Sequence, residues 1–146
     1  MDVNNEMLTY IYQNAKMGES SCHDLIKILN GKDNKIKSMV EDELKEYERI
    51  VKKASKMLDK RDIEHPKDKG MMAEMMSKVG MNVELMKDNS DARIADMLIK
   101  GFTMGNIDIN KKIDRYEKEI DKEVLKLARE LLDFGNKSID KLKPYL

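Results

Sequence analysis

Cys22 and His23 stand side by side one turn of helix after Glu19, so a thiolate, an imidazole and a carboxylate could share part of one helix face. Such donors can hold a metal ion, and a thiol beside an imidazole can form a nucleophile and base pair. Both chemistries need more than one turn supplies. A metal needs a fourth ligand from elsewhere, and a nucleophile needs a third group to orient the base and donors for an oxyanion. No such group is visible, so Cys22 reads as a small buried hydrophobe and His23 as a surface residue. A second run with chemical character is Met71, Met72, Met75 and Met76. Thioether clusters can bind Cu(I), and Met-rich surfaces adapt to varied apolar partners. The same stripe continues through Val79, Val83 and Met86 at helical spacing. That spacing predicts a short helix packed on the rest of the protein, with a protein partner at this Met-rich segment as the alternative.

These residues have to be positioned by a chain of 146 residues, long enough for one domain, residues 1–146, with a single core. Its 28 basic and 28 acidic residues balance, which argues against nucleic acid, whose binders carry a net basic face. Lysines and acids alternate along the chain, as on solvated helix faces. One cysteine excludes an internal disulfide framework. The MDVNNEM start carries acid where a secretory signal carries base, and no apolar run is long enough to span a membrane. A soluble, cytoplasmic protein without membrane contact is the expectation. Two prolines, no tryptophan and abundant Lys, Glu, Leu, Ile and Met make the class all-α.

The spacing predicts a first helix from about Asn4 to Asn30, with Leu8, Ile11, Ala15, Gly18, Cys22, Leu25 and Leu29 on one seam and Gly31 ending it. A second helix follows a turn near Lys32 to Asn34, capped by Asp33 or Asn34. Its seam is Ile36, Val40, Glu43, Tyr47, Ile50, Ala54 and Met57, which Glu43 alone interrupts with a charge. His65-Pro66 and Gly70 then break the chain, and the Met-lined crossover leads to Asp88-Asn89-Ser90, with Ser90 as the next cap. The third helix spans about Asp91 to Tyr116, with Ala95, Leu98, Phe102, Gly105, Ile109, Ile113 and Tyr116 inward. No Gly or Pro separates it from the fourth. An unbroken helix to Lys143 would be about 80 Å long, so the chain must bend, with Asp121 as cap. The fourth helix buries Val124, Leu127, Leu131, Phe134, Ser138 and Leu142 and stops at Pro144. Gly101 and Gly105 would let this third helix pack closely on Ala15, Gly18 and Cys22 of the first, or else on a second copy of the chain.

Four long helices, two short connections and one helical crossover, with the segments ARIADMLIKGFTMGNIDI and VLKLARELLDFGNKSIDKLKPYL, resemble the ferritin-like fold. More narrowly, the chain is similar to small uncharacterised bacterial ferritin-like proteins that consist of the bundle alone. The resemblance implies an antiparallel four-helix bundle with a helical crossover between the second and third long helices. It also implies a metal site built from one Glu on each of two helices and a Glu-x-x-His on each of the others. Here Glu19 matches the first carboxylate. Glu46 is followed at the histidine position by Arg49, with Glu43 and Glu46 as an all-carboxylate substitute. The third helix has only Asp96 and Asp108, off its seam, and the fourth has Glu130 with Asp133 in place of histidine. The metal set is thus Glu19, Glu43, Glu46, Glu130 and Asp133, without imidazoles. No cofactor is expected; iron or manganese would be the metal if one binds. Glu43 and Glu130 are expected to reach the bundle edge and pair with Lys or Arg. The expected role is non-catalytic, structural or in protein interaction, with a carboxylate-rich iron or manganese binder as the alternative. A homodimer is the default assembly.

Overall fold

The computed structural model describes residues 2–67 and 88–146. Asp2 opens α1 (Val3–Ile28), its carboxylate accepting the Asn4 amide at 2.7 Å, which satisfies one orphan donor of the first turn. The chain leaves this helix through Gly31, at φ 77°, a left-handed conformation that a side chain would resist.

The second helix, α2 (Lys37–Lys60), does not begin as expected. Neither Asp33 nor Asn34 caps it; Ile36 holds the N-cap position and has no capping side chain. The amides just ahead of the helix are met from the other half of the molecule. The Asp91 carboxylate accepts from the Lys35 amide at 3.1 Å and the Ile36 amide at 3.4 Å. Asn34 turns the same way, donating to the Asn89 carbonyl at 2.9 Å and to Asp91 at 3.0 Å. One acid therefore serves two helix starts, because Asp91 is also the first residue of α3 (Asp91–Tyr116), which Ser90 caps through the Arg93 amide at 3.3 Å.

Asp121 takes the N-cap position of α4 (Lys122–Leu142), with its backbone in the extended region. Its side chain does not cap. It pairs with Arg61 at the end of α2, while its amide donates to the Asn4 side-chain oxygen at 2.7 Å. Asn4 is buried, so the bend between α3 and α4 is held by a tertiary hydrogen bond in a stretch that lacks Gly and Pro. A short 3₁₀ turn, Lys143–Tyr145, with Pro144 inside it, closes the chain.

These contacts fix the helix directions. The start of α2 lies beside the start of α3, and the end of α2 lies beside the starts of α1 and α4. So α1 and α2 are antiparallel, α3 and α4 are antiparallel, and α2 and α3 run parallel. Arg61 and Ser90 therefore stand at opposite ends of the bundle. The Met-lined helix expected at 71–86 lies outside the described residues. Among the described residues there are four α-helices and no strand, and no helix is long and apolar enough to cross a membrane.

The two hairpins close on a core that follows the expected seams. Leu8, Ile11, Ala15, Cys22 and Leu25 of α1 meet Val40, Ile50, Ala54 and Leu58 of α2, all essentially fully buried. From the second hairpin Ile94, Ala95, Ile109, Val124, Leu127 and Ala128 complete it. The glycine expectation is corrected for Gly101, where an added side chain would meet nothing within 4 Å; at Gly105 a Cβ would stand 3.3 Å from the side-chain amide nitrogen of Asn14, a tight approach to α1. The closest approaches are at Gly18, whose Cα faces the Tyr47 ring, and at Gly135, which faces Asn106.

Candidate functional site

In its second turn α2 carries an acid where the helix period demands an apolar residue. Val40, Tyr47, Ile50 and Ala54 are buried on one stripe, and position 43 falls between the first two, so packing that stripe takes Glu43 inside with it. Glu43 is 2% exposed, and neither of its carboxyl oxygens has a hydrogen-bond partner among the described residues. The expected pairing with Lys or Arg at the bundle edge is therefore absent for this residue. The physical reason is reach. The side chain leaves the helix on the core side, toward Cys22 and Tyr47, and Lys141 of α4 acts on it without hydrogen-bonding either oxygen.

A cleft of about 820 Å³ between α2 and α4 has Glu43 in its lining. Arg49 stands on its wall between two acids, 2.5 Å from Glu46 and 3.5 Å from Glu130. Lys53 adds a second contact to Glu130 at 3.3 Å, so Glu130 is paired as expected. Asp133 is held by Lys137 at 2.8 Å, one turn along α4. Asp42 and Glu43 are the lining acids without an ion-pair partner among the described residues. Met39, Phe134, Pro144 and Tyr145 give the cleft its apolar lining.

Behind the cleft lies an aromatic cluster that fixes its depth. Tyr47 and Phe134 meet edge to face with centroids 4.9 Å apart, Phe102 and Phe134 likewise at 5.5 Å, and Tyr47 and Phe102 stack at 6.0 Å. Gly18 makes this possible. A Cβ there would sit 2.2 Å from the ring carbon bearing the Tyr47 hydroxyl.

Burial shapes the protonation of this group of residues. Removal from water, and then the neighbouring Asp42, push the Glu43 carboxyl up to about 8, against an opposing pull from Lys141. At neutral pH it is mostly a neutral acid. Burial, reinforced by Glu43, also raises the Cys22 thiol, and burial with Cys22 and Glu43 raises the Tyr47 phenol. Cys22 is a free, buried thiol that stays protonated and unreactive, in line with its reading as a small hydrophobe. His23 is exposed.

Of the five acids in the expected metal set, Glu43, Glu46, Glu130 and Asp133 line this one cleft. Glu19 does not; it pairs with Lys16 on α1 at 3.3 Å. On α3, Asp96 pairs with Lys100 at 2.9 Å. Among the described residues no three His, Cys, Asp or Glu side chains are gathered as a metal-holding group. The Met-rich segment proposed for a partner, Met71, Met72, Met75 and Met76, lies outside the described residues. Two contributors escaped the sequence reading: Lys141, which could have been found one turn beyond Ser138 and Lys137 on the same face, and Asp42, for which the pattern gives no signal. Comparison with protein-family models, with curated proteins and with solved structures finds no match to this chain.

Proposed function

We propose that this chain is a ferritin-like helical bundle with a degenerate metal site, acting without catalysis in a structural or protein-interaction role. The parallel course of α2 and α3 supports the ferritin-like assignment. The single observation that carries the functional reading is Arg49. It occupies the position where such bundles place a histidine, and its guanidinium engages both Glu46 and Glu130. A guanidinium offers no lone pair to a metal and neutralises the two carboxylates that would otherwise be ligands. Asp133, in the second histidine position, is an acid tied to Lys137. Glu43, deepest of the set, is neutral at pH 7 and so a poor ligand.

Anaerobic calorimetric titration with Fe(II) and Mn(II) tests this. The reading expects no saturable heat from either ion with the wild-type chain. One specific observation favours the alternative of a carboxylate-rich iron or manganese binder, namely that four acids line one cleft. Saturable binding that is lost in Glu130→Ala would establish that alternative and overturn the first. A homodimer is the assembly assigned by default, and light scattering coupled to gel filtration decides it.

A further inference from the structure

The α2/α4 cleft presents an unmet demand for a donor. Glu43 lies in its lining with both oxygens buried and without a hydrogen-bond partner among the described residues, a condition that disfavours the folded state. The acid next to it on α2, Asp42, also lacks an ion-pair partner among the described residues. The remaining acids of the lining are already held by Arg49 and Lys137. What the cleft lacks is therefore an N–H donor on Glu43: Lys141 lines the cleft and pulls on that carboxyl, but no hydrogen bond joins the two among the described residues. An anion would meet two carboxyl groups there. A bare metal ion would find no third ligand gathered among the described residues, and about 820 Å³ is the size of a small-molecule site rather than an ion cage. Beside the acids, Met39, Phe134 and Tyr145 offer apolar surface.

We propose that this cleft binds a small organic ammonium ion with an apolar body, its N–H donors on Glu43 and Asp42 and its body against Met39, Phe134 and Tyr145. The chemistry is that of a primary amine on a short aryl or alkyl group. Lys141 lines the same cleft, and its ammonium is the internal competitor for the same acids.

The test uses the full chain, treated with chelator so that its outcome is independent of the metal question. The probe is 2-phenylethylamine, compared with 2-phenylethanol and 3-phenylpropionate, by calorimetry and by amide shifts in two-dimensional NMR. The amine is expected to bind with shifts on α2 around position 43 and on α4 around positions 134–142, and the alcohol and the acid to bind at least about tenfold more weakly. Glu43 is mostly neutral in the free protein at pH 7 and must release its proton to solvent when the ammonium binds, so amine affinity is expected to rise as pH approaches about 8. At about pH 8.5 Glu43→Gln is expected to weaken the amine by about tenfold, the value of one charge-assisted hydrogen bond. Lys141→Met is expected to tighten it. Comparing the three probes on the wild-type protein keeps the test valid if a variant does not fold. Equal binding of amine and alcohol, no binding at millimolar amine, or unchanged amine affinity in a folded Glu43→Gln would overturn the proposal. So would Lys141→Met leaving the amine unbound while lowering stability, because Lys141 would then be the permanent partner of Glu43.

Discussion

Replacing Glu43 by Gln keeps the shape of the side chain and removes its ability to ionise, which isolates the energetic consequence of its burial. The ordinary value for the carboxyl is 4.5; burial and then Asp42 push it up to about 8, with Lys141 opposing. Below about pH 4.5 the group is protonated in both the folded and the unfolded chain and exacts no penalty. Between about 4.5 and 8 the unfolded chain ionises and the folded one does not, so folded stability falls as pH rises; above about 8 the difference levels off. Each pH unit inside that window is worth about 1.4 kcal/mol, so about 3 kcal/mol has been lost by pH 7. The groups facing Glu43 are Asp42 on its own helix, Tyr47 one turn on, Cys22 from α1 and Lys141 from α4. Cys22 and Tyr47 are themselves raised by burial and stay neutral throughout. Urea unfolding of wild type and Glu43→Gln from about pH 5 to about pH 8 should therefore diverge. The wild type should lose about 1.4 kcal/mol per pH unit relative to the variant. Parallel stability curves would refute the reasoning, since they would mean that the carboxylate is ionised and paired in the folded chain.

Asp91→Ala removes the acceptor shared by the Lys35 and Ile36 amides and should cost about 1–2 kcal/mol in thermal or urea unfolding, with hydrogen exchange rising first at the start of α2. Gly18→Ala should destabilise by about 1–3 kcal/mol through its clash with the Tyr47 ring, although alanine is the better helix former; in a Tyr47→Leu background the sign should reverse. Cys22 should resist an aromatic disulfide reagent in the native protein and react within the mixing time in denaturant, because the buried thiol is held protonated; rapid native reaction would contradict its burial.

The parts of this fold that could be read from the chain were those set by local periodicity. The seams through Leu8 to Leu29, Ile36 to Ala54, Ala95 to Ile113 and Val124 to Leu142 needed only the helical repeat, and Ser90 needed only the chemistry of caps; Asp121 holds the expected N-cap position, but its side chain pairs with Arg61 instead of capping. What stayed hidden depends on contacts between distant residues. The Asp91 carboxylate that takes the Lys35 and Ile36 amides ahead of α2 lies more than fifty residues downstream, so Asp33 and Asn34, the local candidates, looked sufficient. Gly101 and Gly105 have the spacing of a close-packing motif, yet only Gly105 comes close to α1, at Asn14, and the neighbours that most need room are Tyr47 and Asn106, which face Gly18 and Gly135. Glu43 and Glu130 look alike as acids on or near a seam. Only the positions of Arg49 and Lys53 separate a paired surface carboxylate from an unpaired buried one.

The central claim, that the acids of this bundle are closed by Arg49 and Lys137 and do not hold metal, is tested most directly by elemental mass spectrometry of the protein purified without a histidine tag and dialysed mildly. The account predicts iron and manganese far below one atom per chain, in a protein that stays helical. Stoichiometric iron or manganese that disappears in a Glu43→Ala, Glu130→Ala double variant would contradict it.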